Sequence, residues 1–123
     1  MQKSVYFLDP AANIVELIAR FDLNDHVTEQ FSSSHIRNVS EIGVVFPAKQ
    51  FKETVEDFMQ QYGLVYFEKQ LPLPQFTAVG NDEGLFIIVP ENRAWFPTKN
   101  TKSGLFPLQV SFAADHGKHT ILL

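Results

Sequence analysis

A single segment of this sequence has a clear helical pattern, and the apolar segments on both sides of it are short and strand-like. Over residues 48–62 the apolar side chains recur every three or four residues, which places them on one face of an α-helix. They are Phe51, Val55, Phe58, Met59 and Tyr62. Gly63 follows, and glycine is the residue that most often ends a helix. One helix among several strands predicts an α+β fold.

Short apolar runs, several of them rich in β-branched and aromatic residues, predict the strands. The predicted strands are 4–8, 14–19, 39–46, 64–68, 76–80, 85–90 and 107–113. The first two flank an Asp-Pro turn and form a hairpin, and the fifth and sixth form another. The polar residues 21–38 are interpreted as a linker, and residues 114–123 as a tail.

The two predicted hairpins form an internal repeat. Residues 5–18 align with residues 76–89 without a gap, and Asn13 falls on Gly84. Asparagine and glycine are the residues that best accept a positive φ, so we expect the turn chemistry to repeat as well. The repeat predicts two related units in one chain.

The two predicted units differ in completeness. Residues 39–113 contain a whole β-α-β-β-β module with an extra C-terminal strand, whereas residues 1–20 contain only the last two strands of a second module. A two-stranded hairpin is marginal by itself. We therefore expect either self-association, most simply as a homodimer, or a chain that is the C-terminal part of a longer two-module protein.

The composition excludes several functional classes. The sequence has no cysteine, which rules out thiolate nucleophiles, disulfides and cysteine-ligated zinc, and this fits a cytoplasmic location. No apolar run approaches the ~18 residues of a membrane span, so no membrane role is expected. The net charge is −4 without a dense block of Lys or Arg, which disfavours nucleic acid as a partner. The 12 phenylalanines predict an aromatic core or pocket wall.

The motif Y-F-x-D-P-x-x-N-x-x-E-L-I, over residues 6–18, resembles the signature hairpin of the vicinal oxygen chelate superfamily. This superfamily includes glyoxalase I, bleomycin-resistance proteins and extradiol dioxygenases. The segments over residues 40–68 and 84–98 are also similar to parts of its modules. The resemblance implies paired βαβββ modules, each forming half of a curved mixed sheet around a cavity. One difference is Ala12, because the superfamily commonly has glycine in this turn.

The resemblance also implies where a metal ion would bind. Metal-dependent members take one ligand from the first strand and one from the last strand of each module. Glu16 matches the last-strand ligand of the first module, and Glu41 matches the first-strand ligand of the second. The remaining position within the chain matches Ile87, which cannot bind a metal, and the fourth would lie before Met1. Two carboxylates without histidine would suit Mg²⁺, Mn²⁺ or Ca²⁺ better than a transition metal.

The strand pattern around each glutamate gives an independent reason to consider it. Glu16 shares a strand face with Ile14 and Ile18. A carboxylate on such a face indicates a ligand site, an ion pair with Arg or Lys, or a side chain exposed at the sheet edge. Glu41 shares a face with Gly43, which would leave room for a ligand or relieve crowding. We expect both carboxylates to point into one shared concave space.

Two other groups of residues are candidates for binding. Arg93 and Trp95 alternate with their neighbours and are predicted to share a face at a cavity mouth, where they would stack on or hold an anionic ligand. The alternative is an ordinary cation–π pair at the surface. His116 and His119 have a spacing that can chelate a metal on a helix, but a loose tail is the preferred interpretation.

These observations lead to two functional hypotheses. The first is a small-molecule-binding member of the superfamily that lacks a complete metal site and needs no cofactor. The alternative is a divalent-metal-dependent lyase or ring-cleaving dioxygenase that acts on a substrate with adjacent oxygens. The absence of a ligating residue at Ile87 favours the first hypothesis.

Overall fold

The computed structural model describes residues 2–24 and 26–123, and these form one α-helix, one short 3-10 helix and seven strands. The strands are β1 (Gln2–Leu8), β2 (Ile14–Arg20), β3 (Glu41–Phe46), β4 (Thr77–Asn81), β5 (Gly84–Pro90), β6 (Gln109–Ala114) and β7 (Gly117–Leu122). The helix α1 spans Phe51–Tyr62, and the 3-10 helix spans Ser33–His35. The predicted α+β class is therefore confirmed. No helix within the described ranges is long and apolar enough to cross a membrane.

The chain divides into two compact units, Met1–Arg37 and Asn38–Leu123, which we call the N-terminal and C-terminal units. In the N-terminal unit, β1 and β2 pair antiparallel with Tyr6 opposite Glu16. The turn between them is organised by Asp9, whose carboxylate accepts hydrogen bonds from the backbone of Ala11 and from the backbone and side chain of Asn13. The hairpin predicted for this segment is confirmed.

The C-terminal unit is built on a three-stranded sheet with the order β3-β5-β4. β3 and β5 are parallel, and β4 is antiparallel to β5. The parallel pair requires a crossover connection, and α1 lies within it. α1 ends as predicted, at Gly63, which has a φ of +64°.

One face of this sheet packs against α1 and forms the core. Val44 and Phe46 of β3, Phe86 and Ile88 of β5, and Val55 and Phe58 of α1 are buried together. The ring of Phe58 packs edge-on against that of Phe86, with centroids 5.3 Å apart. The apolar stripe predicted for the helix is confirmed, since all its residues belong to or pack on this core.

The strand predicted over residues 64–68 is not formed. This segment makes one isolated antiparallel bridge, from Tyr66 to Val79 of β4. A turn follows at once, in which the backbone N–H of Gln70 donates to the carbonyl of Phe67. The turn carries the chain away from β4 before a ladder can extend.

The tail predicted over residues 114–123 is instead a strand. β7 pairs antiparallel with β6, and Val110 of β6 and Ile121 of β7 are part of the core. The sequence of β7 does not have a recognisable strand pattern, because Ile121 is its one buried side chain and polar residues precede it.

The gap-free repeat between the two hairpins is not reproduced by their structures. Five residues connect β1 to β2, whereas two connect β4 to β5. The pairing also differs by one residue, because Tyr6 lies opposite Glu16 but Thr77 lies opposite Ile88 rather than Ile87. Positive φ occurs at Ala12 in one hairpin and at Gly80 in the other, not at the aligned Asn13 and Gly84.

Candidate ligand site on the sheet face opposite the helix

The sheet of the C-terminal unit has a second face, on the side opposite α1, which we call the distal face. Because side chains alternate along a strand, this face carries the residues that are out of phase with the core. It consists of Glu41, Gly43 and Val45 on β3 and their register partners Leu85, Ile87 and Val89 on β5. Leu85 and Val89 are buried whereas Gly43 is exposed, so the distal face is covered in part.

The cover includes Trp95, from the long connection between β5 and β6. A Cβ placed on Gly43 would lie 3.0 Å from the indole ring of Trp95. The space that Gly43 leaves on the distal face is thus occupied by this indole. Gly43 is interpreted from the sequence either as leaving room for a ligand or as relieving crowding. The structure agrees with the second interpretation, because a side chain at this position would crowd Trp95.

The base of the connection is fixed by a buried serine. The Ser103 hydroxyl donates to the carbonyl of Pro90 at 2.7 Å and accepts from the backbone N–H of Arg93 at 2.9 Å. The backbone N–H of Ser103 donates to the carbonyl of Arg93, and that of Asn92 donates to the carbonyl of Ser103. These bonds set the backbone of Arg93 next to the end of β5. Serine at this position carries no pattern that sequence analysis could have recognised.

Arg93 projects toward a different part of the sheet. Its guanidinium carbon lies 5.3 Å from the ring centroid of Phe76, which immediately precedes β4. Phe76 lies in phase with Ala78, the register partner of Ile87, so it belongs to the distal side of the sheet. Arg93 and Trp95 therefore both contact residues on the same side, although each contacts a different residue.

A shallow depression of about 320 Å³ opens at this position, and we call it the Arg93 depression. It is lined by Leu73, Pro74, Gln75, Phe76 and Arg93. Arg93 is half-buried, and no carboxylate of the described residues lies within ion-pair distance of its guanidinium. The depression therefore combines apolar walls with a cation whose charge is not neutralised by a neighbouring side chain.

The two candidate glutamates lie in different units. Glu16 is partly buried on β2, on the hairpin face that it shares with Tyr6 and Ile18. Glu41 is partly buried on the distal face, two residues before Gly43. The expectation that the two carboxylates share one concave space stays a prediction.

The described residues contain no group of three or more Asp, Glu or His side chains arranged to hold a metal ion. Ile87, at the position that the resemblance implies for a ligand, lies opposite Gly43 on the distal face. Among the described residues of the distal face, Glu41 supplies the carboxylate, and its neighbours are the indole of Trp95 and aliphatic side chains.

The two C-terminal histidines lie in structured positions rather than in a loose tail. His119 on β7 packs against the rings of Tyr62 and Phe112, with centroids 5.3 and 5.4 Å away. His116 lies in the β6–β7 turn, near Gly63 at the end of α1. Because this segment is a turn and a strand, the spacing of the histidines does not have the helical geometry that chelation would require.

A second depression, of about 230 Å³, lies at the other end of β4. Its lining includes Tyr66, Glu68 and Asp82. Lys69 forms an ion pair with Asp82, so the acidic character of this depression is partly neutralised. Its lining has aromatic rings but, unlike that of the Arg93 depression, contains no cationic side chain.

Comparison of the sequence with protein-family models and with curated proteins finds no match.

Proposed function

We propose that the C-terminal unit is a small-molecule-binding module related to the vicinal oxygen chelate superfamily and that it binds its ligand without a complete metal site. The observation that carries this proposal is the strand order β3-β5-β4, in which β3 and β5 are parallel and α1 follows β3 along the chain and packs on one face of the sheet. A βαβββ module needs this arrangement. The module would have one more strand, between α1 and β4 in the chain. The isolated bridge between Tyr66 and Val79 supports the view that a short remnant of this strand lies beside β4.

The N-terminal hairpin supports the same relationship. Ala12 has a φ of +64°, and it occupies the turn position where superfamily members commonly have glycine. The conformation of the turn therefore agrees with the resemblance even though the residue type differs. On this proposal, residues 1–20 correspond to the last two strands of a partner module.

The chemistry of the distal side favours binding over metal-dependent catalysis. Ile87 replaces a ligand with an aliphatic side chain, and the neighbouring surface presents the indole of Trp95 and the guanidinium of Arg93. Aromatic and apolar surfaces with a few polar groups are typical of sites that bind flat organic molecules. The metal-dependent alternative would require further ligands to join Glu41 and Glu16.

The chain has a single tryptophan, so the indole N–H of Trp95 gives one well-defined NMR signal. We expect 2-naphthamide, an uncharged planar probe, to shift this signal and the backbone amides of residues 91–103 in a saturable way. The binding should be unchanged by EDTA. Absence of saturable shifts with both 2-naphthamide and 2-naphthoate at millimolar concentration would contradict the proposal. A stoichiometric divalent metal, lost in Glu41→Ala, would favour the enzyme hypothesis instead.

A further inference from the structure

Arg93 is a half-buried cation without a counter-charge. Arginine side chains that are partly withdrawn from water are normally paired with a carboxylate or phosphate, because the charge loses part of its hydration. Within residues 2–24 and 26–123, no side chain or carbonyl accepts a hydrogen bond from this guanidinium. Its donors are therefore available to a group from outside the chain.

The backbone that carries this cation is anchored, and the guanidinium has an aromatic neighbour. The backbone N–H of Arg93 donates to the Ser103 hydroxyl and its carbonyl accepts from the Ser103 N–H, which anchors the main chain, and the ring of Phe76 lies beside the guanidinium. Asn92, with a φ of +66°, sets the direction in which the chain leaves β5. A group that is held in place before binding loses less conformational entropy when the ligand binds.

The walls of the Arg93 depression are apolar and include an aromatic ring. Leu73 and Pro74 line it together with Phe76, and Gln75 adds one amide. Its volume of about 320 Å³ is at the small end of ligand sites, which suits one or two fused rings rather than a larger molecule. The planar fork of arginine matches a carboxylate in a bidentate manner.

We infer that the Arg93 depression binds a planar organic acid, with the carboxylate on the guanidinium of Arg93 and the ring against Phe76 and the aliphatic wall. This inference rests on the proposed binding function and adds to it the chemical class of the ligand. The chain carries a net charge of −4, so it does not attract anions in general. Recognition of an anion in the depression therefore depends on Arg93, the cation in its lining.

The test compares two probes of nearly equal shape, 2-naphthoate and 2-naphthamide, titrated into the full chain and followed by NMR. We expect the wild-type protein to bind the carboxylate at least about tenfold more tightly than the amide, as a charge-assisted hydrogen bond is strong enough to provide. Arg93→Gln should abolish this preference, and Arg93→Lys should retain part of it. Lys99→Gln removes an exposed cation from the same connection and should leave the preference intact.

The possible outcomes separate the inference from the proposed function. Equal affinity for the two probes in the wild type, or an unchanged preference in a folded Arg93→Gln variant, would overturn the inference while leaving a binding module. Binding of neither probe would overturn both. Competition of inorganic phosphate for the same signals, with no effect of the ring on affinity, would indicate a general anion site and would also overturn the inference. Phe76→Leu should weaken the binding of both probes, because it removes the aromatic ring that both are expected to contact.

Discussion

At the scale of single residues, the tightest backbone constraint in the C-terminal unit lies at Gly80. Its φ is +124°, and a Cβ there would lie 2.2 Å from the carbonyl oxygen of Gly84. Replacement by alanine would therefore create both backbone strain and a clash. We expect Gly80→Ala to reduce the free energy of unfolding by about 2 kcal/mol or more, measured by urea denaturation.

Gly84 provides the matched control for this prediction. A Cβ at Gly84 meets no atom within 4 Å, and its φ is not positive. Gly84→Ala should change the free energy of unfolding by less than about 0.5 kcal/mol. Equal destabilisation by the two substitutions would contradict the geometry of this hairpin.

Two buried hydroxyl groups differ in their hydrogen bonding, so we expect their removal to have opposite effects on stability. Thr77 is 3% exposed, and its hydroxyl has no hydrogen-bond partner among the described residues. Ser103 is equally buried, but its hydroxyl both donates and accepts. We expect Thr77→Val to raise the free energy of unfolding by about 1 kcal/mol and Ser103→Ala to lower it by about 2 kcal/mol, since the latter leaves buried partners unsatisfied. Thermal unfolding that gave the same sign for both would refute this reading.

Residue types alone could not identify the positions of positive φ. The alignment of Asn13 with Gly84 pointed to two residues that tolerate such a conformation, yet Ala12 and Gly80 adopt it. Which residue of a turn carries positive φ depends on loop length and strand register. The two hairpins differ in both, so their aligned residues occupy different turn positions.

At the scale of elements, the β1–β2 turn predicts a response to pH. The hydrogen bonds from Asn13, its side-chain amide first, lower the pKa of the Asp9 carboxyl below its ordinary value of 3.8. A carboxyl whose pKa is lower in the folded state adds stability that is present above the ordinary pKa. That stability is lost as the pH falls through the lower, folded value.

The Asp9 pKa can be measured directly by NMR titration of its side-chain carbon. We expect a midpoint below 3.8 in the wild type and a shift back toward 3.8 in Asn13→Ala, which removes the side-chain donor. An unchanged midpoint in Asn13→Ala would show that the backbone bonds alone determine the Asp9 pKa.

The β6–β7 hairpin is attached to the rest of its unit through aromatic contacts. The ring of Phe112 packs edge-on against Phe86 and Tyr62, with centroids 5.1 and 5.6 Å away. Phe112→Ala should lower the free energy of unfolding by about 2 kcal/mol, which is less than for a fully buried phenylalanine because Phe112 is half-buried. Phe106→Ala is the control, since Phe106 is 79% exposed and should contribute less than about 0.5 kcal/mol.

The elements that sequence analysis identified correctly are those with a complete pattern of their own. The stripe on α1 and the apolar runs of β3 and β5 each define a buried face without help from other segments. Residues 64–68 and β7 do not. The first has the composition of a strand but is cut short by a turn, and the second contributes one core residue, Ile121, within a polar sequence.

At the scale of the whole molecule, the candidate site also combines predictable and unpredictable parts. The alternation of Arg93 and Trp95 suggested a common side, and both contact the distal side of the sheet. The partners that they contact, Gly43 and Phe76, come from segments far away in the sequence. Such pairings depend on strand order and register, which a single sequence does not specify.

The remaining prediction concerns the N-terminal hairpin. The face of the hairpin that carries Val5, Phe7 and Leu17 is apolar, and Val5 and Phe7 are 65% and 46% exposed. A two-stranded sheet with open edges and an exposed apolar face is a surface on which another strand or sheet can pack. We expect the chain to self-associate, most simply as a two-fold symmetric dimer in which these faces meet.

Sedimentation equilibrium at micromolar concentrations tests this expectation. The wild type should have an apparent mass above 14.0 kDa that rises with concentration. Val5→Asp places a charge on the apolar face and should shift the equilibrium to the monomer, whereas Lys3→Asp changes a residue on the same face that is already charged and should have a smaller effect. A wild-type chain that stays monomeric across this range and unfolds in one cooperative transition would show that the hairpin needs no partner, because its exposed face would then be stable in water.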